Sequence, residues 1–276
     1  MLGYSDSHVH LIDYSDEGLE YIFRSMSERN VDFAVSVAVN VDTSKVSVEL
    51  AQQRSPAVAA IGIHPWFAAT LSPADKDLMD ELAASGKAKA LGEVGLDYSP
   101  RDKLPAGPTE AERAANPLKM PKLPEKTSSP EAQRDVFAFE VELAAKYGLP
   151  LNVHSRGGAD RDAFDILSRP WKGEVRGIAH GFDGDLAALK GWLDIGFSIA
   201  LGYGQVIARP MPMLDDVVNA IPLDRLILES DGNPLVSPEG PLDVIPLAAR
   251  IAAARKTEPE LIGDIATTNL KRLLGI

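Results

Sequence analysis

Six short apolar runs in this chain carry an imidazole or a carboxylate at or next to their ends, and between them they hold all five histidines. They are Ser5-Asp6-Ser7-His8-Val9-His10, Ile61-Gly62-Ile63-His64-Pro65, Gly92-Glu93-Val94-Gly95, Leu151-Asn152-Val153-His154, Gly177-Ile178-Ala179-His180 and Leu228-Glu229-Ser230-Asp231. Surface histidines scatter; these recur at one kind of position. If the runs are parallel strands of one barrel, their C-terminal ends meet at one face. Imidazoles and carboxylates meeting there make a metal site, and a metal site of that kind points to a hydrolase.

The runs fall within eight predicted strands: Ser5 to His10, Val31 to Val39, Ala57 to His64, Ala88 to Val94, Leu149 to His154, Val175 to His180, Phe197 to Leu201 and Arg225 to Ser230. Most are continuously apolar rather than alternating, as strands buried on both faces are. Helical patterns lie between them: Glu17 to Arg29, Ser44 to Gln53, Pro73 to Ser85, Pro130 to Tyr147, Asp160 to Ser168, Asp185 to Leu193 and Met211 to Ala220. Leu242 to Arg255 and Pro259 to Leu274 follow the last strand. Ser72-Pro73 and Ser129-Pro130 place a capping hydroxyl before proline at the first helical position. Thr257 to Glu260 reads as a capping box, and Gly148 as a helix stop. Strand and helix alternate throughout, so the expected fold is α/β, a closed (β/α)8 TIM barrel forming a single domain over residues 1–276. An open doubly wound sheet is the competing arrangement, but it would not gather groups from first, middle and last strands at one point.

A length of 276 residues suits one such barrel. There are no cysteines, so any metal is held by His, Asp and Glu. No apolar window is long enough to cross a membrane and no signal-peptide pattern opens the chain; the cytoplasm is the expected location. A net charge of −12 argues against tight electrostatic binding of duplex nucleic acid, so only weak non-specific affinity is expected. A phosphodiester substrate stays open if metal ions supply the local positive charge. One segment breaks the rhythm. Ser99 to Pro130, after the fourth strand, holds seven prolines and six Lys or Arg against four Asp or Glu. It reads either as a lid meeting an anionic substrate or as a solvated insertion.

Individual residues sharpen the chemistry. His8 and His10 are two apart on a strand, so both side chains point the same way and can grip one ion. Glu93 ends the predicted fourth strand between glycines, where a carboxylate is costly to bury unless paired or metal-bound. His154 and His180, at equivalent strand ends, read together as ligands of a second ion; imidazole suits Zn or Mn, and carboxylates also accept Mg. Asp231 ends the eighth strand, where it could touch a metal and act as general base. Glu229, two back, reads as its supporting partner or as half of a salt bridge. His64 before Pro65 reads as a substrate contact or as a histidine packed near Trp66. Arg156 suits a bidentate grip on phosphate, or a pair with Asp160 or Asp97. Asp97-Tyr98 and Asn269 are weaker candidates.

The order of these motifs resembles the TatD-type metal-dependent deoxyribonucleases, a branch of the amidohydrolase barrels. The matching pieces are Asp6 to Leu11, Gly62 to Pro65, Gly92 to Tyr98, Gln133 to Val136, Leu149 to Arg156, His180 to Phe182, Ile221 to Asp231, Thr268-Asn269 and Leu273. They span nearly the whole chain apart from the Ser99 to Pro130 insertion. The resemblance implies two divalent ions, Mg, Mn or Zn. In that scheme His8, His10 and Asp231 hold one ion, His154 and His180 hold the other, and Glu93 bridges them. The chain departs from the family at Gly181, where Cys is common, in Gly232 to Leu235, and in the longer insertion. All three departures fall where substrate would sit.

The leading expectation is a two-metal phosphodiesterase acting on DNA, single-stranded or at an end. Metal-bound hydroxide attacks, Asp231 and Glu93 are catalytic, and His64 and Arg156 contact substrate. One alternative keeps the metals but changes the bond to an amide, ester or lactone of a small molecule. Lys87 and Lys89 lie toward the start of the fourth strand, away from the position where many related barrels bridge their metals with a modified lysine. The other alternative is a non-catalytic metal-binding scaffold that uses the long loop to recruit a partner.

Overall fold

The computed structural model describes residues 3–100, 109, 123, 128–235, 237 and 239–276. Eight strands lie in one sheet in chain order, as expected for the (β/α)8 barrel class. They are β1 (Tyr4–Val9), β2 (Val31–Val37), β3 (Ala57–Ile61), β4 (Ala90–Asp97), β5 (Leu151–Arg156), β6 (Gly177–Ala179), β7 (Ser198–Gly202) and β8 (Leu226–Glu229). The pairings β1–β2, β3–β4, β4–β5, β6–β7 and β7–β8 are all parallel. The last strand returns to the first: Asp231 N donates to His8 O at 2.9 Å, and His10 N to Gly232 O at 2.9 Å.

The helices are α1 (Asp16–Glu28), α2 (Val41–Gln53), α3 (Pro73–Ala84), α4 (Pro130–Tyr147), α5 (Asp160–Leu167), α6 (Leu186–Asp194), α7 (Leu214–Ala220), α8 (Val244–Arg255) and α9 (Pro259–Leu274). Their starts follow from side-chain caps. Ser72 accepts from Asp75 N in a capping box, and Ser129 accepts from Ala132 N, each with proline in the first turn. Gly148 ends α4 in the left-handed conformation, φ 66°. None of the described helices is long and apolar enough to cross a membrane.

The chain divides into two compact units. Unit 1 comprises residues 1–36, 55–58 and 177–276, and so contains β1, β2, β6, β7 and β8 with α1 and α6 to α9. Val9, Ile22, Met26, Trp192, Phe197, Ile199, Leu228 and Ile251 are among its fully buried side chains. Unit 2 comprises residues 37–54 and 59–176, and is built on β4 and β5 with α2 to α5. There Leu91, Leu96, Phe137, Val141, Leu151 and Val153 are fully buried.

Several expectations need correction. Glu93 does not end its strand. β4 runs on to Asp97 because Gly95, Leu96 and Asp97 pair with His154, Ser155 and Arg156 of β5. The register slips between Leu91 and Val94, so Glu93 sits at an irregularity of the kind that re-aims a side chain. Asp231 lies beyond the end of β8 rather than at it. The capping box expected at Thr257 does not form: Glu258 is the cap residue of α9, and its side chain makes no capping bond. α7 starts at Leu214 rather than Met211, because a π-turn at Gly204–Ala208 precedes it and Met213 is left-handed at φ 54°. The expected lid at Ser99 to Pro130 lies, for residues 101–108, 110–122 and 124–127, outside the described residues.

Candidate metal centre

In unit 1, the ends of β1, β6 and β8 bring His8, His10, His180 and Asp231 together. Ligand atoms of His8, His180 and Asp231 lie within 4.8 Å of one another. The Nε2 atoms of His8 and His10 are each 3.7 Å from Asp231 Oδ1. The rings of His8 and His180 stack with centroids 3.7 Å apart. His8 and His180 are buried, whereas the Asp231 side chain is 39% exposed and so open to solvent on one side.

Asp231 is left-handed at φ 53°, a conformation uncommon outside glycine that Asp tolerates better than most residues. Its N–H bond to His8 O holds the turn from β1. Burial would raise the Asp231 carboxyl, but the hydrogen bond from His10 and the charges of His180, His8 and His10 outweigh it. The group is held well below the ordinary carboxylate range. It is therefore an anion at neutral pH, as a ligand or a base must be.

Two buried carboxylates support this cluster. Glu229 Oε1 lies 2.8 Å from His180 Nδ1 and accepts from Gly181 N at 2.5 Å, while Oε2 accepts from Ser7 Oγ at 3.4 Å. With Nδ1 placed against the Glu229 carboxylate, Nε2 is the nitrogen His180 has to offer as a ligand atom. Glu229 thus pairs with His180, which is the ion-pair reading of the two that the sequence allowed, rather than supporting Asp231 as the other reading had it. Asp6 accepts from the backbone N–H of His8 and of Ser230, each at 3.0 Å, and from Ser230 Oγ at 2.5 Å. This clamps the strand carrying His8 to the one leading into Asp231. Burial pushes the Asp6 carboxyl up to about 7, against the pull of Ser230 and the His8 N–H.

Unit 2 holds the second cluster, in which ligand atoms of His64, Glu93 and His154 lie within 4.8 Å of one another. All three side chains are buried. Glu93 Oε1 is 2.7 Å from His154 Nδ1 and 3.5 Å from His64 Nε2. Gly62 allows this approach: a Cβ there would sit 2.8 Å from both Glu93 O and Gly92 C. His64 follows β3 and caps the short helix Pro65–Thr70, its Nδ1 accepting from Trp66 N at 3.2 Å. An accepting Nδ1 puts the proton of neutral His64 on Nε2, which makes His64 a hydrogen-bond donor rather than a metal ligand.

His154 also faces a second carboxylate: its Nε2 is 3.3 Å from Asp97 Oδ2. Burial would lower the His154 pKa, but the hydrogen bonds to Asp97 and Glu93 raise it overall. At Asp97, burial works upward, yet the His154 bond and charge and the Ser99 contacts hold the carboxyl well below its usual range. Arg156 is half-buried at the end of β5 and donates to Ser155 O at 2.9 Å; Ser155 Oγ donates to Asp160 Oδ1 at 2.6 Å.

The sequence reading missed the supporting residues Asp6, Ser230, Trp66, Gln133 and Glu140, and it ranked Asp97 low. One signal was available. Gln133 and Glu140 are polar residues on the otherwise apolar stripe of α4, shared with Val136, Phe137, Val141 and Ala144.

The donor set fits divalent metal. It combines imidazole and carboxylate in compact groups without a thiolate, which suits Zn, Mn or Mg rather than soft ions.

The family model described as TatD related DNase matches residues 5–275. A Bacillus subtilis (strain 168) protein named uncharacterized metal-dependent hydrolase YabD is 29% identical, over 98% of this chain and 98% of its own. A Klebsiella pneumoniae (strain 342) protein named 3'-5' ssDNA/RNA exonuclease TatD is 27% identical, over 82% of this chain and 73% of its own. In fold, the chain is similar to the crystal structure of YJJV, a TatD homologue from Escherichia coli K12. The TM-score is 0.78 at 21% identity, over 99% of this chain and 98% of that one. The chain belongs to the TatD-related DNase family and is a metal-dependent hydrolase acting on ester bonds.

Proposed function

We propose that this chain hydrolyses phosphodiester bonds of DNA, in single strands or at ends, with two divalent ions held by His8, His10, Glu93, His154, His180 and Asp231. The observation that carries the reading is the gathering, in unit 1, of His8, His180 and Asp231 from distant parts of the sequence within 4.8 Å. The resemblance of the Klebsiella relative, named an exonuclease on single-stranded DNA and RNA, supports the choice of bond. The shared role for Glu93 between two ions, implied by the motif pattern, belongs to this proposal, as does the choice among Mg, Mn and Zn.

A bound divalent ion supplies Lewis acidity and brings the pKa of its water to about 7. The protein's own groups do the rest. Asp231, anionic and partly exposed, takes the proton released as water attacks phosphorus. Glu229 lies against His180 Nδ1 and orients the ring by charge. His64 presents Nε2–H, able to donate to a phosphate or leaving oxygen, and Arg156 adds a fixed positive charge. The net charge of −12 keeps non-specific affinity low, so productive contact depends on the metals and these donors.

The test is direct. The protein is stripped with chelator, reloaded with Mg, Mn or Zn, and assayed on end-labelled single-stranded DNA beside a panel of amides and lactones. Metal-restored release of nucleotides is expected. Hydrolysis of an amide or lactone with no DNA cleavage under any metal would overturn the reading, and metal loading without any turnover would favour a scaffold.

A further inference from the structure

We propose that Asp97 is a positioning residue of the unit 2 centre, fixing which nitrogen of His154 is offered to the ion, and that Trp66 and Gln133 lock Asp97 in place. The inference rests on the reading in which His154 binds a divalent ion.

Both carboxylate oxygens of Asp97 are occupied. Oδ2 accepts from Trp66 Nε1 at 2.8 Å and faces His154 Nε2 at 3.3 Å; Oδ1 accepts from Ser99 N at 2.8 Å. Its backbone is held as firmly. Gln133 Oε1 accepts from Asp97 N at 2.7 Å, and Gln133 Nε2 donates to Asp97 O at 2.9 Å and to Ser128 O at 2.9 Å. Ser128 Oγ in turn donates to Trp66 O at 3.0 Å and accepts from Ala69 N at 2.9 Å. Asp97, Gln133 and Ser128 are each about 5% exposed or less. The segment carrying Trp66, the end of β4 and the start of α4 are thus cross-linked by polar groups that all close on Asp97.

A carboxylate fixed in this way can only accept. In the metal-free protein both His154 nitrogens face carboxylates, Nδ1 at 2.7 Å from Glu93 and Nε2 at 3.3 Å from Asp97. Glu93 belongs to the proposed ligand set, whereas Asp97 is committed to Trp66 and Ser99; a cation held beside Glu93 would therefore take the place of the Nδ1 proton, and Asp97 would keep the proton on Nε2. A histidine that donates one N–H to a carboxylate is a better and better-aimed ligand through the other, and removing such a partner typically lowers metal affinity about 10–100-fold. Asn cannot replace Asp97 cleanly. Whichever way its amide lies, the NH2 meets a donor, either Ser99 N–H or the Trp66 and His154 pair.

The experiment uses the full chain loaded with cadmium-113 and labelled with 15N-histidine, read by NMR. A cadmium resonance lost in His154→Gln identifies the unit 2 ion. In the wild type that ion should couple to His154 Nδ1, with Nε2 protonated. Asp97→Ala should bind it about 10–100-fold more weakly, while the unit 1 resonance keeps its affinity. Coupling through His154 Nε2, or undiminished affinity in a folded Asp97→Ala, overturns the inference. If Asp97→Ala does not fold, the wild-type tautomer decides alone. A wild type whose cadmium resonances are all indifferent to His154→Gln overturns the metal reading of unit 2 instead, so the two failures are distinguishable.

Discussion

Glu140 offers a sharp test of how the protein interior treats charge. It lies on α4 with no exposed surface; its Oε1 accepts from Ile63 N at 2.7 Å, and its Oε2 has no hydrogen-bond partner among the described residues. Burial pushes the carboxyl well above its usual range, against the pull of the Ile63 N–H. A carboxyl that stays protonated when folded but ionises when unfolded makes folding take up a proton. Its contribution is fully present below the unfolded pKa and is lost as pH rises toward the higher folded one. The loss runs at about 1.4 kcal/mol per pH unit in that window. Glutamine has the same shape, can accept from Ile63 N–H and never ionises. Its extra N–H without an acceptor adds a penalty that does not vary with pH. Glu140→Gln should therefore gain on the wild type by about 1.4 kcal/mol for each pH unit from about pH 5 upward. Leucine would leave the Ile63 N–H without an acceptor and lose about 1–3 kcal/mol against the wild type below about pH 5; since it does not ionise either, it should show the same relative gain as pH rises. Urea unfolding of metal-free wild type and both variants, at a series of pH values, gives the differences directly. A wild-type-to-Gln difference that does not change with pH would mean that Glu140 is ionised in the fold, and would refute the reasoning.

Asp231→Asn should keep the fold, because Asn also tolerates the left-handed turn at φ 53°, and should lower turnover about 100–10,000-fold. Full activity in that variant would remove Asp231 from the role of base. Asp6→Ala leaves three donors without their acceptor and should lose about 3 kcal/mol by chemical denaturation, with Asp6→Asn losing less than half of that. Equal stability of the two variants would mean that the clamp does not hold β1 to β8. His154 is raised above the ordinary histidine pKa by Asp97 and Glu93 despite burial, so its protonated form is favoured in the metal-free fold. The stability this contributes is present below the unfolded value near 6.5 and lost as pH rises through the folded one. Metal must displace that proton, so affinity at unit 2 should rise as pH rises through the same window, with measurable proton release on binding; flat affinity would contradict it.

The sequence made the fold legible because buried parallel strands are continuous apolar runs and capping residues announce helix starts, as Ser72 and Ser129 do. Boundaries read less well where hydrogen bonding beyond local pattern decides them. β4 continues past Glu93 because its later residues find partners on β5, and the start of α7 is displaced by a π-turn that no periodicity announces. The candidate ligands stood out because imidazole and carboxylate are costly to bury without purpose. Their supporting residues did not, since a buried Asp6, Gln133 or Asp97 is recognised only by partners far away in the chain. Asp6, for instance, meets Ser230, a separation of 224 residues.

That separation has a consequence for how the molecule is made. His64, Glu93, Asp97 and His154 emerge from the ribosome within one central stretch, and the unit that positions them ends at residue 176. His8 and His10 are made before them but wait for Asp231, which follows His10 by 221 residues (231 − 10). On the proposed reading, the residues of unit 2 are all present on a nascent chain well before the other centre can close. A product terminated before Asp231 would lack that other centre.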